Sequence, residues 1–286
     1  MSDVTAAPTS PALWTAAVDD HVVGLGWSPS GATVAAASIG GPILLASAER
    51  GETVADLSGH GLGTTSIAWR PGAGELASGG QDGCVRLWGE SGELLWEVEL
   101  GSAWVEALSW TTDGKRLAIA AGRKVCVLDP AGREQHVSTE HPSTVLDLGW
   151  RPGARDLELG AATYGGVRMW RPARGETRTL TWKGSVLRVA WSPDGAWLAT
   201  GDQDATVHLW RIERGEDMMM SGFETKVVEL TWDATSRYLA TGGGDSVAVW
   251  DCSGKGPAGR TPAMLLPEAG KVTTLAFAPE DTRLAV

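Results

Sequence analysis

Seven short motifs, each an aromatic residue followed by a turn, recur along the chain at nearly constant distance. They are Trp27 in GLGWSPSG, Trp69 in SIAWRPGAG, Trp110 in ALSWTTDG, Trp150 in DLGWRPGA, Trp191 in RVAWSPDG, Trp232 in ELTWDATS and Phe277 in TLAFAPED. Successive spacings are 42, 41, 40, 41, 41 and 45 residues. A period of this size, sustained through most of a 286-residue chain, points to an array of like units packed on one another. Each unit reads as four short strands. An apolar strand ends at the aromatic anchor, and a Ser-Pro-Asp-Gly type turn follows, in which proline presets φ and glycine accepts φ > 0. Then come a strand such as ELAS or WLAT, a Gly/Asp turn, a third strand such as CVRLW, TVHLW or SVAVW, and a fourth after SGE or RGE. Such a unit has two sheet faces to cover, and radial packing of the units covers both.

The anchors account for part of an unusual aromatic usage: 15 Trp against 2 Phe and 2 Tyr. Tryptophan serves here as a specific device. The net charge of −11 argues against nucleic acid and anionic membrane as partners, because both require a basic surface. Cys84, Cys126 and Cys252 are far apart and form no CxxC, which supports neither a disulfide framework nor a zinc knuckle. The N-terminus has no basic-then-apolar signal pattern, and no apolar run approaches the ~18 residues of a membrane span, so a cytoplasmic location is expected. Residues 1–11 are expected to be a disordered tail and residues 12–286 one domain. High Ala, Gly and Arg with few Lys point to a bacterial, GC-rich source.

The period, Gly-His at 59–60, Ser-Pro-Asp-Gly at 192–195, the Leu-Trp or Val-Trp endings at 87–88, 209–210 and 249–250, and Trp-Asp at 250–251 resemble the WD-repeat (WD40) family over residues 12–286. That resemblance implies an all-β, seven-bladed propeller of four-stranded antiparallel blades. The last blade, starting near Lys271, lacks its turn and third strand, and the resemblance implies its closure by the N-terminal strand ALWTAAVDD at 12–20. It also implies a buried hydrogen-bonded staple of His60, Ser78, Asp82 and Trp88. The staple recurs in part as Thr200, Asp204 and Trp210 and as Thr241, Asp245 and Trp250. A donor-only indole N–H needs an acceptor, and a buried carboxylate needs donors. His, Ser and Asp are also triad residue types, but a triad would not reappear in part along the repeat, so no residue is assigned a catalytic role. His141 stands at the staple position of the fourth unit, where Leu159 and Tyr164 replace the hydroxyl and the carboxylate.

Other features read as structure. Met218, Met219 and Met220 fall in an outer-strand register, where neighbours point to opposite faces and do not converge on one ion. SGKGPAGR at 253–260 lacks the phosphate-loop frame. His136 and His141 have no third ligand nearby, so no metal and no cofactor is expected. In the resembled family, partners dock at the narrow top end of the ring. The corresponding positions include Trp104, Glu106, His21, Gln81, Gln203, Lys226 and Lys271. SAWVEALSW, around Trp104, resembles a partner-binding stretch of heterotrimeric G-protein β subunits. The expected function is a monomeric, non-enzymatic scaffold that docks a protein or peptide on the top face. The alternative rests on WDCSGKGP, which resembles stand-alone bacterial WD-repeat proteins associated with zinc-handling GTPases and implies an accessory role in zinc homeostasis. A propeller hydrolase ranks below both, because Glu106, Asp147 and Glu229 look too scattered in the repeat to converge.

Overall fold

A computed structural model describes residues 13–138, 140–265, 271–279 and 283–286, and these are all-β, antiparallel and arranged as a ring. Four-stranded sheets occupy residues 22–57 (β1 to β4), 64–99 (β5 to β8), 105–137 (β9 to β12) and 230–265 (β19 to β22). A six-stranded sheet spans 147–220 (β13 to β18), and a two-stranded sheet pairs β23 (Ala276–Phe277) with β24 (Leu284–Ala285). The ring among the described residues is thus five sheets plus one small sheet. This corrects the expectation of seven four-stranded blades.

Fusion of the fourth and fifth repeat units into one sheet has a local cause. In the second unit the turn after β6 (Leu76–Gly80) carries Asp82, whose carboxylate accepts from Cys84 N at 3.1 Å and breaks the strand. The fourth unit has Tyr164 there, with Gly165 at φ 89° and Gly166 at φ 130°, and β14 (Leu159–Arg171) runs through the turn. Across from it, β15 (Glu176–Trp191) continues from one unit into the next, with Ser185 paired to Tyr164. Each of the two units lacks one half of the staple pair: Tyr164 replaces the acid in the fourth, which keeps His141, and Trp182 replaces the histidine in the fifth, which keeps Asp204.

The anchors show what tryptophan is for. Each indole N–H reaches the neighbouring unit and donates to the carbonyl just before that unit's own anchor. Trp69 bonds Gly26 at 3.0 Å, Trp110 bonds Ala68 at 3.2 Å and Trp150 bonds Ser109 at 3.0 Å. Trp191 bonds Gly149 at 2.9 Å and Trp232 bonds Ala190 at 3.1 Å. Trp27 completes the circuit by donating to Ala276 at 3.1 Å. Phe277 has no indole N–H to give, and its backbone N–H donates to the Thr231 hydroxyl over a longer 3.4 Å instead. Apolar clusters fill the space between successive units, as where Val85 and Leu87 meet Val105, Leu117 and Ile119, all at most 1% exposed.

Closure also departs from expectation. Residues 13–18 form no strand, and Trp14 turns its indole onto Gly51 and donates to Ala48 O at 2.9 Å. Among the described residues the last sheet has two strands, and this end of the chain meets β1 (Val22–Trp27) through side chains: Trp27 on Ala276, Thr273 Oγ1 on Val22 O at 3.1 Å, and Arg283 over the Trp27 ring. The expected tail at 1–11 lies outside the described residues.

Candidate functional site

The staple of the second unit forms. Trp88 Nε1 donates to Ser78 Oγ at 2.8 Å, the Ser78 hydroxyl lies 2.9 Å from His60 Nε2, and His60 Nδ1 lies 2.9 Å from Asp82 Oδ1. One tautomer satisfies the chain: Ser78 donates to Nε2 while Nδ1–H donates to Asp82. Burial lowers the His60 pKa against the opposing pull of Asp82. Burial alone would raise the Asp82 carboxyl, but the Cys84 N–H, the imidazole and Arg86 bring it below its usual value. Gly80 is required beside this ring, since a Cβ there would stand 2.3 Å from His60 Cγ.

The partial staples do not both form. In the sixth unit Trp250 Nε1 donates to Thr241 Oγ1 at 3.0 Å, but Asp245 takes no part. In the fifth unit Trp210 Nε1 is buried without a partner and Thr200 turns to its strand neighbour's carbonyl, His208 O, at 3.5 Å. Asp204 accepts from Thr206 Oγ1 at 2.7 Å inside its own turn. An aromatic stack replaces the network there, with His208 flat on Trp210 at 4.2 Å and Trp182 edge-on to His208 at 4.3 Å. Asp202 occupies the place of Gly80, and its carboxyl is pushed up to about 7, first by burial.

At the top end the ring opens into a cavity of about 380 Å³ lined by residues from every repeat unit. His21, Gln81, Trp104, Glu106 and Lys226 line it, while Gln203 and Lys271 stand outside its wall. Val105 is fully buried between units, and its neighbours Trp104 and Glu106 face the mouth. Trp104 is 51% exposed. A repeated β-bulge aims these side chains. In the innermost strands of four units one residue is skipped in pairing: Val23, Thr65, Glu106 and Leu187, each four before its anchor. A bulge breaks strict alternation and re-aims the side chains around it.

The residue after the bulge therefore matters too, and strict alternation overlooks it. Arg188 lines the cavity; its Nε donates to Val228 O at 3.2 Å and its Nη1 lies 3.8 Å from Asp147 Oδ1. Asp147, Arg188 and Glu229 all stand three before their anchors, at 150, 191 and 232. Of Glu106, Asp147 and Glu229, only Asp147 lies against Arg188, and only Glu106 lines the cavity; the Arg188 charge reaches the other two carboxylates from further off. Burial raises the pKa of all three, and the Arg188 charge opposes it. Among the described residues, no group of three His, Cys, Asp or Glu is arranged to hold a metal ion. His136 lies on β12 (Glu134–Val137); His141 is buried, and burial with the Arg168 charge lowers its pKa to about 4. Met218, Met219 and Met220 lie on the outer strand β18 (Glu216–Met220), with Met219 the most exposed.

Comparison with known proteins agrees with the repeat. Residues 51–89 and 176–211 match the family model described as WD domain, G-beta repeat. The chain is 26% identical over 247 residues to the protein transport protein sec13 of Aspergillus clavatus, covering 70% of this chain and 84% of that one. It is 27% identical over 170 residues to the B-type cell cycle switch protein ccs52B of Medicago truncatula, covering 56% of this chain and 34% of that protein. Autophagy-related protein 16 of Arabidopsis thaliana is 25% identical over 193 residues, covering 66% of this chain and 38% of its own length. The chain spans about a third of the length of ccs52B and of Protein FIZZY-RELATED 3 of Arabidopsis thaliana. These relatives are plant and fungal proteins, which overturns the bacterial stand-alone type expected from the WDCSGKGP segment and the composition.

Proposed function

We propose that this WD40-repeat propeller, a protein-interaction scaffold, docks its partner on the top face, with Trp104 as the anchor. The exposed indole at the rim of a cavity walled by every repeat unit is the observation that carries the reading. A large apolar ring held at the start of a rigid strand loses little conformational freedom on binding, and tryptophan is the residue type most enriched where interface energy concentrates. His21, Gln81 and Lys226 supply a polar surround. Gln203 and Lys271 lie outside the cavity wall and belong to an outer contact ring.

The test is quantitative affinity capture with three baits: wild type, Trp104→Ala, and Arg214→Ala at the turn on the opposite end of the ring. The principal partner is expected to be lost from the Trp104→Ala bait, by about 2 kcal/mol or more, and kept by the Arg214→Ala bait. Equal recovery on all three moves docking off the top face. The same capture addresses the accessory reading, which requires a GTPase among the proteins retained.

A further inference from the structure

The docking surface described above also has a chemistry. Trp104 and Glu106 flank the buried Val105 and face the cavity together. The Glu106 carboxylate makes no hydrogen bond and no ion pair among the described residues. Arg188, the cation nearest to it in electrostatic terms, is held elsewhere, by the Val228 carbonyl and the Asp147 carboxylate. An exposed indole face beside an unpaired, half-buried carboxylate matches a cationic side chain, which is attracted by the ring quadrupole and neutralises the acid. His21 and Lys226 line the same mouth from other repeat units.

We infer that the top-face cavity takes a peptide segment of a partner protein that places a lysine or arginine side chain between Trp104 and Glu106, with an acidic side chain a few residues away toward Lys226. The inference rests on the top-face reading and adds the identity of the recognised group. Burial raises the pKa of Glu106, and an incoming cation offsets that cost, so affinity falls as pH drops through the raised value.

The full chain is panned against a random octapeptide display library, and a selected peptide is synthesised in two forms, one with its basic residue and one with norleucine there. Both are titrated against wild type, Glu106→Gln and Trp104→Ala, each checked for an unchanged melting temperature. A recurring basic position is expected. Norleucine should weaken wild-type binding about tenfold, and Glu106→Gln should weaken the basic peptide about tenfold while leaving the norleucine peptide unchanged. If Glu106→Gln affects both peptides alike, or selection yields no basic position, the cation site is wrong. Loss in Trp104→Ala would then still uphold top-face docking. If Trp104→Ala binds as wild type, or nothing is selected, both readings fall.

Discussion

The Ser78 hydroxyl serves two buried groups at once, accepting from Trp88 and donating to His60. Ser78→Ala leaves an indole N–H and an imidazole nitrogen unpaired, and should cost about 1–3 kcal/mol in urea unfolding. The equivalent Thr200 makes no such pair, so Thr200→Val should cost well under 1 kcal/mol. Two buried titrating groups oppose each other. His141 has its pKa lowered to about 4 from 6.5, so its contribution is fully present above pH 6.5 and is lost as pH falls toward 4, because the unfolded state takes up the proton first. Asp202 has its pKa raised to about 7 from 3.8, so its contribution is present at low pH and lost as pH rises through 7. They amount to roughly 3 and roughly 4 kcal/mol, and between pH 4 and 6.5 they largely cancel. Asp202→Asn should therefore be more stable than wild type at pH 8, and should lose stability between pH 6.5 and 4 where wild type stays nearly level. Chemical denaturation across that range checks both.

At the scale of strands, the repeat and its anchors were legible because they recur in sequence, but the sheet boundaries were not. A strand ends where a side chain caps a turn, and the loss of the acid at Tyr164 and of the histidine at Trp182 merges two units into one sheet. Restoring the cap by Tyr164→Asp is expected to shorten β14 and lower its hydrogen-exchange protection around residues 163–167. The candidate site was half legible for a related reason. Trp104 and Glu106 follow from register, since Val105 points inward. Arg188 was missed because alternation assigns it to the wrong side, and only the bulge at Leu187 turns it into the mouth. Reading the third position before each anchor across units would have found Asp147, Arg188 and Glu229 together.

Across the whole molecule, no strand is exchanged between the two ends among the described residues. Contact between β1 and the last small sheet depends on Trp27, Thr273 and Arg283. Trp27→Phe keeps the packing and removes the one indole bond across that junction. It should cost about 1 kcal/mol and raise hydrogen exchange in β1 more than in β9 (Val105–Trp110), where Trp110→Phe should act in reverse. Uniform loss of protection would mean the ring unfolds as one unit.

The indole bonds have a mechanical consequence. Around this hoop, among the described residues, six of the seven repeat anchors are riveted to the neighbouring unit by an indole bond, and Phe277, against Thr231, is not. Outward load on the rim, as from a bulky segment wedged into the mouth, spreads around the hoop and is relieved at its weakest joint. Compliance should therefore concentrate at the Thr231–Phe277 seam, well away from where Trp104 makes first contact. Phe277→Trp would rivet it, stiffening the mouth and slowing both entry and exit of whatever the cavity holds.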